Sequence, residues 1–238
     1  MTVEWLSEVT STNTLLKQRG IAGAPHGTAL AARRQTGGRG RMGRSFCSPE
    51  GGLYMSVLLR PTAPDLNLLT VAAAVAAAEA AEGVVRRPVG IKWVNDLYLD
   101  GRKVAGILSE SFADEAGDLC VVVGFGVNLV TPPGGFPEEI REIAGALLPA
   151  EAPGLRERLA EDILHRFLPY AEAAGERAFL PGYRARSLLC GREIAFFRNG
   201  IPMSGTVLGV AEDGGLRVRA PSGEETVLHS GEVTLHRD

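Results

Sequence analysis

The sequence predicts an α+β fold in two parts: a larger domain over residues 1–189 and a small all-β domain over residues 190–238. Three observations carry this. Short apolar and β-branched runs are mixed with three helical stretches up to Leu189. After Cys190 the pattern becomes short strand-like runs broken by Gly, Pro, Asn and Asp. The composition, 45% hydrophobic and 22% charged over 238 residues, is that of a globular chain able to fill a core.

The elements follow in order. Ser11 is placed to N-cap a helix over residues 12–19, with Gly20 as its stop. Residues 28–34 read as a strand entering a Gly/Arg-rich loop, and residues 53–59 as a second strand ended by Arg60-Pro61. Residues 66–82 are a long run of helix formers with Gly83 just beyond. Three β segments follow, at 90–94, 97–99 and 103–109, with Asp100-Gly101 as a hairpin turn between the last two. Residues 119–129 are an apolar central strand containing Gly124 and Gly126, and Pro132-Pro133-Gly134-Gly135 marks a loop. Residues 155–173 are helical, with Leu155, Leu159, Ile163 and Phe167 on one face and Pro169 at a kink. The tail carries strands at 193–197, 203–210, 216–220, 226–229 and 233–236, separated at Asn199-Gly200, Asp213-Gly214-Gly215 and Pro221-Ser222-Gly223, which reads as a small barrel.

Charge and targeting signals narrow the function classes. A net charge of −3 and a pI near 5.9 argue against a protein that coats nucleic acid. Cys47, Cys120 and Cys190 are odd in number and far apart, the pattern of reduced thiols, so a cytoplasmic protein is expected. The N-terminus shows no secretory signal. The alanine-rich run 71–81 is too short for a membrane span and is closed by Glu79 and Glu82, so a buried helix and no membrane contact are expected.

The chemistry concentrates in three places. Gln35 and the run Gly38-Arg39-Gly40-Arg41-Met42-Gly43-Arg44 place three arginines in a loop whose glycines allow tight turns and close approach to a ligand. The run matches G-x-G-x-x-G formally, but Ser45 to Gly52 cannot open the helix that a dinucleotide fold requires. A solvated basic hairpin is the bland alternative. The second place joins Lys92 and Lys103, on consecutive β segments, with Asn95-Asp96 between them. Such lysines suit phosphate, and an Asn-Asp pair suits Mg²⁺ or a nucleotide, although an exposed ladder with an Asx turn would look similar. The third is Gly124-Phe125-Gly126-Val127-Asn128, where glycines permit backbone approach and Asn128 presents an amide. Ser11-Thr12-Asn13 is first of all a helix cap whose hydroxyls could also meet a polar ligand, and the four histidines show no metal-ligand spacing. Cations for a polyphosphate, with no nucleophile or base dyad, fit nucleotidyl transfer to a substrate carboxylate.

With these motifs in this order, nearly the whole chain resembles the biotin protein ligase family, in Ser11-Thr12-Asn13, Gln35 with the Gly38 to Arg44 run, Lys92-Trp93-Val94-Asn95-Asp96, Arg102-Lys103-Val104-Ala105-Gly106-Ile107-Leu108 and Gly124 to Asn128. The resemblance implies a mixed-sheet catalytic domain with helices packed on it and a C-terminal SH3-like β-barrel. It implies that ATP and biotin form biotinyl-5′-AMP with Mg²⁺ as cofactor, and that biotin then passes to a lysine of a biotin carboxyl carrier protein. It implies that Arg39, Arg41 and Lys103 are catalytic. Ser11, Thr12, Asn13, Gln35, Gly38, Gly106, Leu108 and Gly124, with Arg39 and Lys103, would contact biotin. Arg41, Arg44, Phe46, Lys92, Asn95, Asp96 and Asn128 would contact ATP, and Asp96 would take Mg²⁺.

Two positions depart from the family pattern: Val94 stands where proline is common, and Phe46 where tryptophan often stacks on adenine. The chain begins almost at the catalytic motifs, Trp5 lying six residues before Ser11, so no DNA-binding or repressor activity is expected. A homodimer is left open. The rivals are a lipoate-protein ligase of related fold and, from another class, a nucleic-acid-binding module. Against the latter stand the acidic charge and the lack of aromatics among residues 39–44.

Overall fold

Along residues 52–59 every position is buried, so the sheet containing that strand must be covered on both faces. The computed structural model describes residues 2–61, 65–198, 200–229, 231 and 233–235. Its strands are β1 (Val3–Val9), β2 (Ala29–Gln35), β3 (Gly52–Leu59), β4 (Gly90–Lys92), β5 (Asp96–Leu99), β6 (Arg102–Ala113) and β7 (Leu119–Asn128). They form one seven-stranded sheet in the order β1-β2-β3-β7-β6-β5-β4. The β1–β2 pair is parallel and every other pair antiparallel, which makes the sheet mixed. The helices are α1 (Thr12–Ile21), α2 (Leu66–Val85), α3 (Leu155–Glu172) and α4 (Leu180–Arg186).

The two-residue period of the strands divides the core. Leu53, Met55, Val57 and Leu59 of β3, with Val121, Val123, Phe125 and Val127 of β7, share one cluster with α2, α3 and α4. The ring of Phe125 meets that of Phe167 on α3 edge-on, with centroids 5.3 Å apart. On the other face Leu58, Cys120 and Val122 pack with Leu16 of α1 and Phe112 of β6. Beyond that cluster the same face carries Ser56, Gly124, Gly126 and Gly106, in register across three strands: Ser56 opposite Gly124, and Gly106 opposite Gly126. Missing side chains there leave a hollow on the sheet.

Asp65 caps α2 by accepting from the backbone N–H groups of Asn67 and Leu68. By length and composition α2 could cross a membrane, but its residues 71–78 are at most 2% exposed, covered by the sheet and the other helices. A second, antiparallel sheet takes the order β11-β10-β9-β8-β12, with β8 (Glu193–Arg198), β9 (Ile201–Val210), β10 (Leu216–Arg219), β11 (Glu225–Leu228) and β12 (Val233–Leu235). Its Ile194, Phe196, Val207 and Val218 join the cluster that holds α2, and the Trp93 indole donates to Gly214 O at 2.9 Å.

Several expected boundaries move. Gly20 does not stop α1: it lies inside the helix, where a Cβ would come within 2.7 Å of the Phe112 ring, so it is a packing glycine. α2 runs through Gly83 to Val85 and ends at Arg86, whose φ of 55° makes the left-handed cap. Pro169 is accommodated inside α3. β4 stops at Lys92 and β6 runs on to Ala113. β1 and α4 were not foreseen. Asn199 and His236, which belong to an expected turn and strand, lie outside the described residues.

Candidate active site

The hollow on the sheet is a cleft walled by the start of α1, the Gly/Arg loop, the β4–β5 turn and β6–β7, with Gly231 and Val233 at its rim. Ser11 caps α1 in extended backbone, and its Oγ accepts from Thr14 N. That cap turns Thr12 and Asn13 inward, where both are buried. Thr12 donates from its N–H and its hydroxyl to Gln35 Oε1, at 2.8 and 3.0 Å. Gln35 Nε2 donates to Ser48 Oγ at 2.9 Å, and Ser48 donates to Phe46 O. Ser56 Oγ, wholly buried, lies 2.8 Å from Thr12 Oγ1 and 2.6 Å from Asn13 Oδ1. Asn13 Nδ2 donates to Glu110 Oε2 at 2.9 Å and to Leu108 O at 3.3 Å. Opposed donors and acceptors on both amides fix which way Asn13 and Gln35 point.

The Gly/Arg loop folds over this network. An antiparallel bridge joins Arg39 to Ser45, and Gly40 N donates to Arg44 O at 2.8 Å. The turn passes through Met42 and Gly43 with φ of 55° and 75°. From this loop Arg41 Nη1 donates to Asn95 Oδ1 at 3.2 Å, and Arg39 Nη1 lies 3.4 Å from Glu110 Oε1. Asn95 is itself pinned to β6, donating from Nδ2 to Ile107 O at 2.8 Å. Lys103 Nζ sits 2.6 Å from Asp96 Oδ1, an ion pair not aligned as a hydrogen bond, so that buried oxygen has no hydrogen-bond partner. The Phe46 ring lies on the glycine floor: a Cβ on Gly126 would meet it at 2.6 Å and one on Gly106 at 3.3 Å. Burial pushes the Tyr54 and Tyr183 phenols well above their ordinary range, so both stay neutral; Tyr183 donates to Val94 O at 3.1 Å and Tyr54 to Pro49 O at 2.7 Å.

Of the residues singled out in the sequence, Ser11, Thr12, Asn13 and Gln35 line the inner end of the cleft. Arg39, Arg41, Arg44 and Phe46 line its loop side; Lys92, Asn95, Asp96 and Lys103 its outer end; Gly106, Leu108 and Gly124 its floor. Gly38 and Asn128 do not join them. Gly38 is a crossing point, where a Cβ would lie 2.3 Å from Ser48 Oγ and 2.4 Å from Phe46 O. Asn128 turns its amide to Gly145 O at 2.9 Å and ties β7 to the loop beyond. Ser48, Ser56, Glu110 and Trp93 were given no role, while Gly126, read with Gly124 as a point of close backbone approach, does line the cleft. The signals existed for two of them: Ser56 is the one aliphatic hydroxyl in an otherwise apolar and aromatic buried strand, and Glu110 follows Gly106 and Leu108 at period two.

The sequence matches the family model described as the biotin/lipoate A/B protein ligase family over residues 5–128. The chain belongs to this family. The match ends at the last residue of β7 and takes in every cleft residue except Gly231 and Val233. Among the ligases of this family it is similar to the biotin–[acetyl-CoA-carboxylase] ligase of Mycobacterium tuberculosis, 30% identical over 244 residues, covering 96% of this chain and 86% of that one. The enzyme of the same description from Paracoccus denitrificans is 31% identical over 212 residues, covering 83% and 86%. The bifunctional ligase/repressor BirA of Bacillus subtilis is 42% identical over 130 residues, a span that is 52% of this chain and 39% of that protein, so the match covers well under half the relative's length. The biotin protein ligase of Aquifex aeolicus solved with biotin and ATP superposes with a TM-score of 0.82 at 31% identity, covering 100% of this chain and 99% of that one.

Proposed function

We propose that the protein is an ATP-dependent biotin protein ligase that makes biotinyl-5′-AMP and passes biotin to a lysine of a biotin carboxyl carrier protein. The observation that carries the proposal is the convergence of Arg39, Arg41, Lys92 and Lys103, from three separate segments, on one glycine-floored cleft beside a buried amide and hydroxyl network. That network offers fixed polar partners for a ureido group at the inner end. The cations at the outer end suit a carboxylate and a polyphosphate.

In the first step a biotin carboxylate oxygen bonds to the α-phosphorus of ATP, and the bond to the β-phosphate oxygen breaks, releasing pyrophosphate. Two anions must approach each other, and at about 4 Å their repulsion is roughly 4 kcal/mol at the effective dielectric of a protein surface. Lys103 and Arg39 lower this barrier by standing between the two charges, and Arg41 holds the loop across the cleft through Asn95. In the second step an uncharged carrier lysine attacks the acyl carbon, AMP leaves, and the amine gives up its proton. Covering the anhydride with the 39–45 loop keeps water from it.

Asp96 would take Mg²⁺ through Oδ1, a buried oxygen held only by the Lys103 ammonium at 2.6 Å, with Lys103 turning to the substrate anions as the ion enters. No cluster of three or more His, Cys, Asp or Glu stands among the described residues, so nucleotide phosphates and water would supply the other ligands. Bound there, the ion would neutralise phosphate charge. Residues 1–189 would form the catalytic domain and residues 190–238 a C-terminal domain docked through Trp93 and Gly214.

The test is to incubate the protein with Mg-ATP and biotin, and in parallel with lipoate, and to weigh the products. Biotinyl-AMP from the first mixture, with transfer to an added carrier domain, is the expected result. Lipoyl-AMP alone, or neither adenylate, would overturn the proposal.

A further inference from the structure

The chemistry above leaves one carboxylate in the cleft region without a task. Glu110 stands on β6 two positions beyond Leu108, opposite Val122, on the face that carries the cleft. Its side chain is 24% exposed. One oxygen, Oε2, accepts from Asn13 Nδ2 at 2.9 Å. The other, Oε1, lies 3.4 Å from Arg39 Nη1. Arg39, whose side chain is 56% exposed, is therefore held by charge at a distance longer than a strong charge-assisted hydrogen bond.

We propose that Glu110 is a positioning residue with two separable jobs, resting on the ligase reading above. Oε2 orients the Asn13 amide, and Oε1 is a resident counter-anion that holds Arg39 until the substrate carboxylate displaces it. The geometry makes the exchange easy in one direction. Oε2 is engaged by Asn13, which leaves a single long contact for the guanidinium. A free carboxylate can offer both oxygens in the paired geometry that arginine prefers. Glu110 therefore competes with biotin for Arg39 while supporting biotin through Asn13.

Two substitutions separate the jobs. Glu110→Gln keeps a carbonyl oxygen for Asn13 Nδ2, which also dictates the orientation of the new amide, and removes the charge facing Arg39. Glu110→Ala removes both. In biotin-dependent ATP–pyrophosphate exchange, Glu110→Gln is expected to lower the KM for biotin about two- to fivefold, the range set by a half-exposed ion pair, with kcat unchanged. The gain should shrink at high salt. Glu110→Ala is expected to raise the same KM, and a purely structural role would move both variants in one direction. A Glu110→Gln enzyme whose KM rises, or stays at the parental value, overturns the inference while leaving the ligase reading intact. No biotin-dependent exchange in the parent overturns the ligase reading and this inference with it.

Discussion

Replacing Gly124 by alanine tests the inner end of the cleft at its tightest point. Gly124 lies in β7 without a positive φ, so the backbone accepts an alanine and only the space around it decides the outcome. The new Cβ would lie 2.2 Å from Asn13 Oδ1 and 2.9 Å from Asn13 Cγ. Ordinary contact begins at 3.4 Å, so the amide must retreat by about 1.2 Å. A retreat of that size breaks the bonds that Asn13 makes with Ser56 at 2.6 Å and with Glu110 at 2.9 Å. Overpacking costs about 1–3 kcal/mol, and each lost hydrogen bond about 1 kcal/mol. Allowing for partial relaxation, the loss is about 2–4 kcal/mol, or a melting temperature lower by about 5–15 °C for a chain of this size. The KM for biotin should rise at least about tenfold, because the polar network is displaced as a unit. Thermal melting and pyrophosphate exchange read the two effects. Adding Asn13→Ala removes the clashing amide together with its hydrogen bonds, so the double variant should regain the overpacking part of the lost stability and none of the biotin affinity. A Gly124→Ala protein that melts and turns over like the parent would refute the packing argument. A double variant whose losses simply add would show that Asn13 is not the clashing partner.

Two further perturbations address the loop and the fold. Arg41→Ala removes the tie to Asn95 from a half-buried surface position, so biotinyl-AMP should leave about tenfold faster, a change of about 1.4 kcal/mol, with a parental melting curve; stopped-flow release at the parental rate would count against the loop as a cover. Arg60, with the backbone N–H groups of Asp118 and Ala116, holds the Asp114 carboxyl below the usual carboxylate range. Its folded pKa is depressed, so its stabilisation is present above an unfolded value of about 3.9 and is lost as pH falls through the folded one. Asp114→Asn should therefore melt below the parent at neutral pH, with the gap closing in acid, and a gap that persists undiminished in acid would contradict the assignment.

What could be read in advance depended on how far a residue's partner lies along the chain. Lys92, Asn95, Asp96 and Lys103 fall within one stretch of three consecutive strands, so their chemistry and their nearness were both local facts. The glycines at 106, 124 and 126 were visible as gaps in apolar strands, and the register that sets two of them side by side follows from an ordinary antiparallel pair. Asn128 looked like a ligand contact because an amide at a strand end usually faces outward, but the carbonyl of Gly145 claims it. β1 escaped notice because its apolar residues do not alternate cleanly, with Leu6 directly following Trp5; its pairing with β2 makes it a strand.

The same limit hid the charge balance of the cleft. A loop with three arginines reads from sequence as a cradle of unpaired cations. In the folded chain Arg39 faces Glu110, and on β6 Lys103 faces Asp96, each carboxylate brought by a different segment or by the register of a hairpin. These two pairs offset part of the positive charge that Arg39, Arg41, Arg44, Lys92 and Lys103 bring to the cleft, and so lower the electrostatic cost of folding cations together. Two cations held by displaceable carboxylates can bind a substrate anion only by exchange. Affinity for the substrate carboxylate is accordingly moderated by the protein's own acid at Glu110. Because Glu110 is displaced in the substrate complex and in the transition state alike, the exchange sets KM and leaves kcat unchanged.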